Sequence, residues 1–305
     1  MTMQTRLMFL CAAIPLGAWQ PIAMALGAAD TSDSALGAAA IEQATPAQAS
    51  NPCSAPDIAA TPSRPNWNAG AATTQCNVLE FDAGWLIQPM GHHEEQRLFP
   101  SSVRYGLTPR MDLRWGLPGP IEQSGSGTNV QDVTDQWISV RYRFLEQERR
   151  MPALALSYGI KSPESDPAKG FGTGFVDHQL VLIASRDLGR AHVDFNTVGT
   201  IAGGAAGKDG AAQFGLAVSL AVTHQLSWIL ESDGGPQPGI PDRYGAALMG
   251  GSWAFRPWLV FDAAYTQAYT AGAPRAQFTA GLTCARRLPV TLLPSGSRLA
   301  RWLGR

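Results

Sequence analysis

The sequence predicts an all-β protein, an antiparallel transmembrane β-barrel of about 12 strands like those of bacterial outer membranes. From residue 77 onward, apolar and polar side chains alternate with a period of two, as in strands with one apolar face. Short and long connections alternate between these strands. Only 15% of the residues are charged, against about 25% in ordinary soluble proteins. The formal net charge of -1 gives no bulk attraction to nucleic acid, so a nucleic-acid partner is not expected.

Residues 1–25 have the pattern of a cleaved secretory signal peptide. Arg6 precedes an apolar run, and Ala23-Met24-Ala25 offers small residues at a cleavage site. The alternative is a membrane anchor, but Pro15 and Pro21 interrupt the run, which is shorter than the roughly 20 residues of a spanning helix. We therefore expect export through the inner membrane.

Residues 26–75 are rich in Ala, Ser, Thr and Pro and show no sustained period, which predicts a flexible periplasmic leader. Three cysteines follow the signal peptide. In an oxidising compartment Cys53 and Cys76 could close a small loop and leave Cys284 outside it. The sequence leaves open whether Cys53 and Cys76 are bonded.

Residues 76–285 are predicted to form the barrel. Each segment has about the length of 9 to 11 residues that crosses a bilayer as a tilted strand. The twelve segments are NVLEFDAGWLI, RLFPSSVRYGL, RMDLRWGL, DQWISVRYRFL, PALALSYGIK, VDHQLVLIAS, HVDFNTVGTI, AQFGLAVSLAV, QLSWILES, YGAALMGGSWAF, WLVFDAAYTQAY and RAQFTAGLTCAR.

The connections favour a membrane barrel over a soluble secreted β-sandwich, which is the alternative fold. Those after the even-numbered segments are brief, such as Thr108-Pro109 and Arg256-Pro257. Those after the odd-numbered segments are longer, such as PGPIEQSGSGTNVQDVT and DGGPQPGIPDR. Outer-membrane barrels have tight turns at one end and longer loops at the other. A closed ring also satisfies every backbone amide in a medium that offers no hydrogen-bond partner.

The polar faces of the first five strands are expected to line the lumen. They carry a concentrated set of mixed charges, namely Glu80, Asp82, Arg104, Arg110, Asp112, Arg114, Arg141, Arg143 and Lys161. One interpretation is a salt-bridge network that fills and stiffens the lumen. The other is an arginine-lined constriction that selects anionic or aromatic carboxylate solutes. The later strands have a milder inward face, with Asp194, Asn196, Gln213, Ser219, Glu231, Asp262 and Gln277.

Enzymatic and metal sites are not predicted. A lipid-hydrolysing barrel needs a His and a Ser two residues apart on one strand face, and His178, His192 and His224 do not provide that arrangement. The run His92-His93-Glu94-Glu95 is interpreted as part of a solvated loop. We therefore expect no catalytic residue, no cofactor and no metal.

Several motifs together resemble an outer-membrane family named for the MetA pathway of phenol degradation and often labelled as transporters. They are Ser63-Arg64-Pro65-Asn66, TTQCNVLEFDAGW, VRYGLTPRMDLRWG, QDVTDQWISVRYRFLEQ, RRMPALALSYGIKSP and GFGTGFVDHQLVLIASRDL, within residues 63–285. The resemblance implies a bacterial outer-membrane barrel of about twelve strands that is loosely linked to aromatic compounds. It brings no catalytic residue with it.

Residues 286–305 form a C-terminal tail after the last strand, whereas barrels of this kind usually end in an aromatic residue at the last strand. The tail either frays or forms a short basic amphipathic piece on a membrane surface. The expected function is passive passage of small solutes through the outer membrane, with the lipid bilayer, the solute and the outer-membrane assembly machinery as partners. The alternatives are a non-transporting structural or adhesive barrel and, as a weaker alternative, a lipid-acting enzyme.

Overall fold

The computed structural model describes residue 53 and residues 57–91, 93–125 and 127–288. The predicted signal peptide, residues 26–52 of the predicted leader and residues 289–305 of the predicted tail lie outside the described residues. Among the described residues, no helix is long and apolar enough to cross a membrane.

The described residues form fifteen strands and one short 3-10 helix, Pro167–Lys169. The strands are β1 (Val78–Gly91), β2 (Glu94–Leu98), β3 (Ser101–Thr108), β4 (Met111–Leu117), β5 (Pro120–Gly125), β6 (Thr128–Val133), β7 (Gln136–Leu145), β8 (Ala153–Ser162), β9 (Asp177–Leu188), β10 (Ala191–Ala202), β11 (Asp209–Ala221), β12 (Leu226–Gln237), β13 (Ile240–Arg256), β14 (Leu259–Ala268) and β15 (Ala276–Arg287).

The strands close into one antiparallel barrel whose wall has twelve strands. The order runs from β15 down to β7, then β4, β3 and β1, and β1 pairs with β15 to close the ring. The pairs β2/β3, β4/β5 and β6/β7 each follow one path along the wall with a two-residue interruption. Two of these interruptions contain Pro100 and Pro118, which lack the amide that a regular ladder needs. The predicted barrel of about twelve strands is therefore confirmed.

The barrel is apolar outside and polar inside. Trp85, Ile138 and Leu230 point outward and are 58%, 55% and 56% exposed. Among the most buried side chains are instead Glu80 and Arg104, at 0% and 2% exposed, on the inward face of β1 and β3. A water-soluble protein has the opposite distribution, because burial removes apolar surface from water.

The two ends of the barrel differ, as the sequence predicted. At one end, here called the turn rim, the connections are residues 109–110, 146–152, 189–190, 222–225 and 257–258. The other end, the loop rim, carries the connections that were predicted to be long. Three of these are shorter than predicted, because strands continue into them: β1 and β2, β5 and β6, and β12 and β13 extend towards each other there. Their Gly and Pro residues indicated loops, but neighbouring strand extensions pair with each other there.

Residues 57–77, here called the inner loop, correct the prediction of a wholly flexible leader. The inner loop lies inside the ring, where inward-facing side chains of β1, β4, β7, β9, β10, β12 and β14 contact it. The composition of this segment is loop-like, as the sequence indicated. Polar groups of the barrel wall nevertheless satisfy its backbone, and this supplies order that no internal periodicity reveals.

Candidate functional site in the lumen

Three charged side chains form a buried cluster on the lumen side of β1 and β3. Arg104 stands directly opposite Glu80 in the strand register, with 2.7 Å from its Nη2 to Glu80 Oε2. Its Nε lies 3.0 Å from Asp82 Oδ2. Thr283 on β15 donates a hydrogen bond to the other Asp82 oxygen at 2.6 Å. The cluster therefore joins three neighbouring strands across the closure of the barrel.

A second ion pair connects the wall to the inner loop. Arg141 on β7 is opposite Asp112 on β4, with 2.5 Å between Nη2 and Oδ2. Arg141 Nη1 also donates to the carbonyl oxygen of Gly70 at 2.8 Å. The amide of Thr74 donates to Asp112 at 2.7 Å. Both partners thus satisfy backbone groups of the loop in addition to each other.

The remaining predicted lumen residues lie at different heights. Arg110 and Arg143 share Glu146 at the turn rim, at 3.5 and 3.1 Å. Lys161 lies near the loop rim, where its Nζ is 2.7 Å from Asp177 and 3.1 Å from Asp135.

Arg114 differs from the other predicted cations. It faces the lumen directly opposite Arg104, so two like charges stand side by side on β3 and β4. Within the described ranges it takes part in no ion pair, unlike Arg104 and Arg141. Arg114 is therefore a lumen cation without a direct ion pair, although the charges of Asp82 and Asp112 act on it at longer range.

The later strands hold the apex of the inner loop. The Glu231 carboxylate accepts hydrogen bonds from the amides of Trp67 and Asn68, at 2.9 and 3.0 Å. Asn196 accepts from the amide of Ala69 at 3.1 Å and donates to its carbonyl oxygen at 2.8 Å. The side-chain amide of Asn196 thus pairs with the backbone of Ala69 in the way that a neighbouring strand would.

Small residues in the wall make room for the inner loop. A Cβ at Gly215 on β11 would lie 2.2 Å from Asn68 Oδ1, and one at Gly281 on β15 would lie 2.6 Å from Arg64 Nε. Arg64 itself reaches Thr279 at 2.5 Å and Asp262 at 3.5 Å. The loop and the wall are therefore complementary in shape as well as in hydrogen bonding.

Both ends of the inner loop return to the turn rim. The structure has a disulfide between Cys53 and Cys76, which was one of the two outcomes that the sequence left open. The amide of Ala60 donates to the carbonyl oxygen of Pro257 in a rim turn at 2.7 Å. Arg287 Nη1 donates to the carbonyl oxygen of Cys53 at 2.9 Å. Residues 61–74 therefore enter the lumen from the turn rim and leave it on the same side.

The sequence missed this loop, although two signals point to it. The pair Cys53 and Cys76 encloses all but the last residues of the loop, and the milder inward residues Asn196, Glu231 and Asp262 are buried polar groups that need partners. Neither signal alone identifies residues 57–77 as that partner.

Histidine and serine do come together at one place, but in an order unsuited to nucleophilic catalysis. Ser185 Oγ donates to Asp194, and His192 Nε2 lies 3.1 Å from the same carboxylate oxygen. The carboxylate lies between the two groups, whereas an activated serine needs the imidazole beside its oxygen. In the described part of the chain, no group of three His, Cys, Asp or Glu side chains has a metal-binding arrangement.

The closed antiparallel ring, its apolar outside and its charged inside define the protein as a β-barrel of the outer-membrane type. No family model matches the chain, and no curated protein matches it. Among solved structures it is similar to an outer membrane channel from Pseudomonas putida F1, with a TM-score of 0.57 and 12% identity over 74% of this chain and 100% of that chain. This likeness shows the fold.

Weaker similarity extends to two further barrels. The translocator domain of the autotransporter NalP from Neisseria meningitidis gives a TM-score of 0.42 and 12% identity over 69% of this chain and 87% of that one. The monoaromatic hydrocarbon channel CymD gives 0.38 and 10% identity over 70% and 89%.

Proposed function

We propose that the protein is a passive outer-membrane channel for small solutes whose lumen is narrowed by the inner loop. The observation that carries the proposal is the closed ring with buried charges inside and exposed apolar side chains outside. Such a wall suits hydrocarbon on one side and water with polar solutes on the other. The similar solved structure is itself an outer membrane channel.

The proposal also covers how the chain reaches the outer membrane and to which family it belongs. A signal peptide in residues 1–25 delivers the chain across the inner membrane, and the assembly machinery inserts the barrel into the outer membrane. Membership of the family named for the MetA pathway of phenol degradation rests on the motifs quoted above. One of them, GLTPRMDLRWG, spans the β3–β4 hairpin, where Asp112 faces the lumen and Trp115 faces outward.

The inner loop sets the size of the solute. Hydrogen bonds hold it to β10 and β12 on one side and to β1 and β4 on the other. A solute therefore passes beside the loop or displaces it, and large molecules are excluded. A sealed structural barrel is the alternative, and the number of contacts between loop and wall is the observation that favours it.

Arg114 gives the channel its preference for anionic solutes, including aromatic carboxylates. Arg104, Arg141 and Lys161 are held in direct ion pairs, whereas Arg114 interacts with Asp82 and Asp112 only at longer range and can contact a solute. We predict that Arg114→Gln shifts the reversal potential in a salt gradient towards cation preference.

The test is a recording of single channels in planar bilayers with the intact protein, the R114Q variant and the control Arg256→Gln. Arg256 lies over the ring of Phe255 at 4.6 Å at the turn rim and lies outside the predicted lumen set. R256Q should conduct like the intact protein. Absence of conductance steps in the intact protein would favour a sealed barrel, and equal reversal potentials in all three would remove Arg114 from the selectivity argument.

A further inference from the structure

Arginines concentrate at the turn rim, at the ends of strands and in the connections between them. They are distributed from the β7–β8 connection to the end of β15, and most of them are exposed. The six that matter here are Arg149, Arg150, Arg186, Arg190, Arg256 and Arg286.

The positive charge of these arginines is not cancelled by carboxylates. Arg186 donates to the carbonyl oxygens of Arg149 and Arg150 at 3.1 and 3.2 Å, and Arg190 donates to those of Ala221 and Val222. A carbonyl oxygen satisfies a guanidinium donor but carries no net charge. Within the described part of the chain, none of the six arginines forms an ion pair.

Acidic residues are fewer at this rim, and two of them are already engaged, whereas Glu148 is exposed beside Arg149 and Arg150. Glu146 binds Arg110 and Arg143, and Asp187 binds His192 at 2.6 Å. At the loop rim, Arg97 pairs with Glu95, Lys161 with Asp177 and Lys169 with Asp132. The exposed Lys208 and Arg243 form no ion pair among the described residues, but each is next in sequence to an acidic residue, Asp209 or Asp242.

Exposed apolar side chains lie next to the rim arginines on the outer wall. Leu188 and Trp228 are 55% and 54% exposed, and Phe255 is also exposed. An apolar belt that ends in a row of cations matches the boundary between acyl chains and headgroups. Guanidinium groups bind phosphate oxygens well because their donors form a planar fork.

We propose that the turn rim binds the headgroups of anionic phospholipids. This inference rests on the membrane placement proposed above and adds a lipid preference at one end of the barrel. The occupant is a phospholipid with net negative charge, because the surplus cations lack carboxylate partners and the apolar belt beside them holds acyl chains. Zwitterionic lipids of the same chain length bind there more weakly.

The experiment is native mass spectrometry of the full barrel in neutral detergent, titrated with dioleoyl phosphatidylglycerol or dioleoyl phosphatidylcholine. The test variant is R149Q/R150Q/R286Q, which leaves in place the carbonyl groups that Arg186 uses. The control K208Q/R243Q/R275Q removes three exposed charges at the loop rim.

We expect phosphatidylglycerol to bind about tenfold more tightly than phosphatidylcholine, and this preference to fall to about twofold in the turn-rim variant and to weaken with salt. The control should keep the full preference. Equal binding of both lipids by the intact protein, or equal losses in both variants, would overturn the proposal. Conductance recorded on the same preparations separates this result from failure of the channel function, since the turn-rim variant should conduct as the intact protein does.

Discussion

At the scale of single residues, the lumen shows how side chains of opposite charge stabilise each other when they are buried away from solvent. Arg104 is almost fully buried and holds two carboxylates on the neighbouring strand. Its neighbour Arg114 has the same residue type and the same orientation, yet it lies opposite a like charge. Replacing Arg104 therefore leaves two buried carboxylates without their direct ion-pair partner, whereas replacing Arg114 breaks no direct ion pair among the described residues.

We predict different effects of the same substitution on stability at these two positions. Arg104→Gln leaves Glu80 and Asp82 buried without a counter-charge, and it should lower the free energy of unfolding by about 3–5 kcal/mol. Arg114→Gln removes a like-charge neighbour of Arg104 and also a cation near Asp82 and Asp112, so the two effects oppose each other and the free energy of unfolding should change by less than about 1 kcal/mol. Urea unfolding of both variants in lipid vesicles measures the difference. Equal losses in the two variants would contradict the account of the cluster.

At the scale of elements, the inner loop is a segment whose order comes from the wall around it. Its amides donate to side chains on several strands, including Glu80, Glu231 and Asp112. The disulfide from Cys53 to Cys76 keeps its two ends together at the turn rim. A disulfide reduces the conformational entropy of the loop when it is detached from the wall more than when it is bound there. It therefore favours the bound conformation.

We predict that the double variant C53S/C76S loosens the inner loop and leaves the barrel intact. Amide hydrogen exchange of residues 61–74 should become at least about tenfold faster, because a disulfide typically contributes about 2–4 kcal/mol. Exchange in β7 to β15 should not change. Cys284→Ala, which alters the third cysteine of the described residues, is the control. Unchanged exchange in residues 61–74 of the double variant would show that the disulfide does not hold the loop.

The strands were largely predictable from the sequence, but the inner loop was not. Alternation along NVLEFDAGWLI or DQWISVRYRFL reports directly on which side chains face lipid, because the strand period is two. The strand extensions between β1 and β2 and between β12 and β13 were missed, since the Gly and Pro residues of these connections indicated loops. Residues 57–77 have no period of their own, and several of their partners lie more than a hundred residues away, as with Trp67 and Glu231.

At the scale of the whole molecule, the distribution of apolar surface indicates which medium surrounds the barrel. Exposure alone does not distinguish Leu230 from Leu188, since both are a little over half exposed. Their heights differ, because Leu230 lies inside β12 and Leu188 ends β9 at the turn rim. In lipid the cost of a charge depends on depth, whereas in water it does not.

We predict that Leu230→Arg destabilises the protein in vesicles by about 2–4 kcal/mol and that Leu188→Arg costs only about 0–1 kcal/mol. Refolding into phosphatidylcholine vesicles at graded urea concentrations provides both values. Similar small costs at the two positions would be the result for a barrel surrounded by water.

The most direct measurement of the central claim is the single-channel conductance of a chain lacking residues 53–76, compared with the intact protein in the same planar bilayers. The deletion removes both cysteines of the disulfide together with the inner loop and keeps all fifteen strands. A closed barrel whose lumen is narrowed by this loop should give small conductance steps when intact and clearly larger steps after the deletion. Equal steps in the two proteins, or no steps in the shortened protein once it has been shown to fold and insert, would contradict the account.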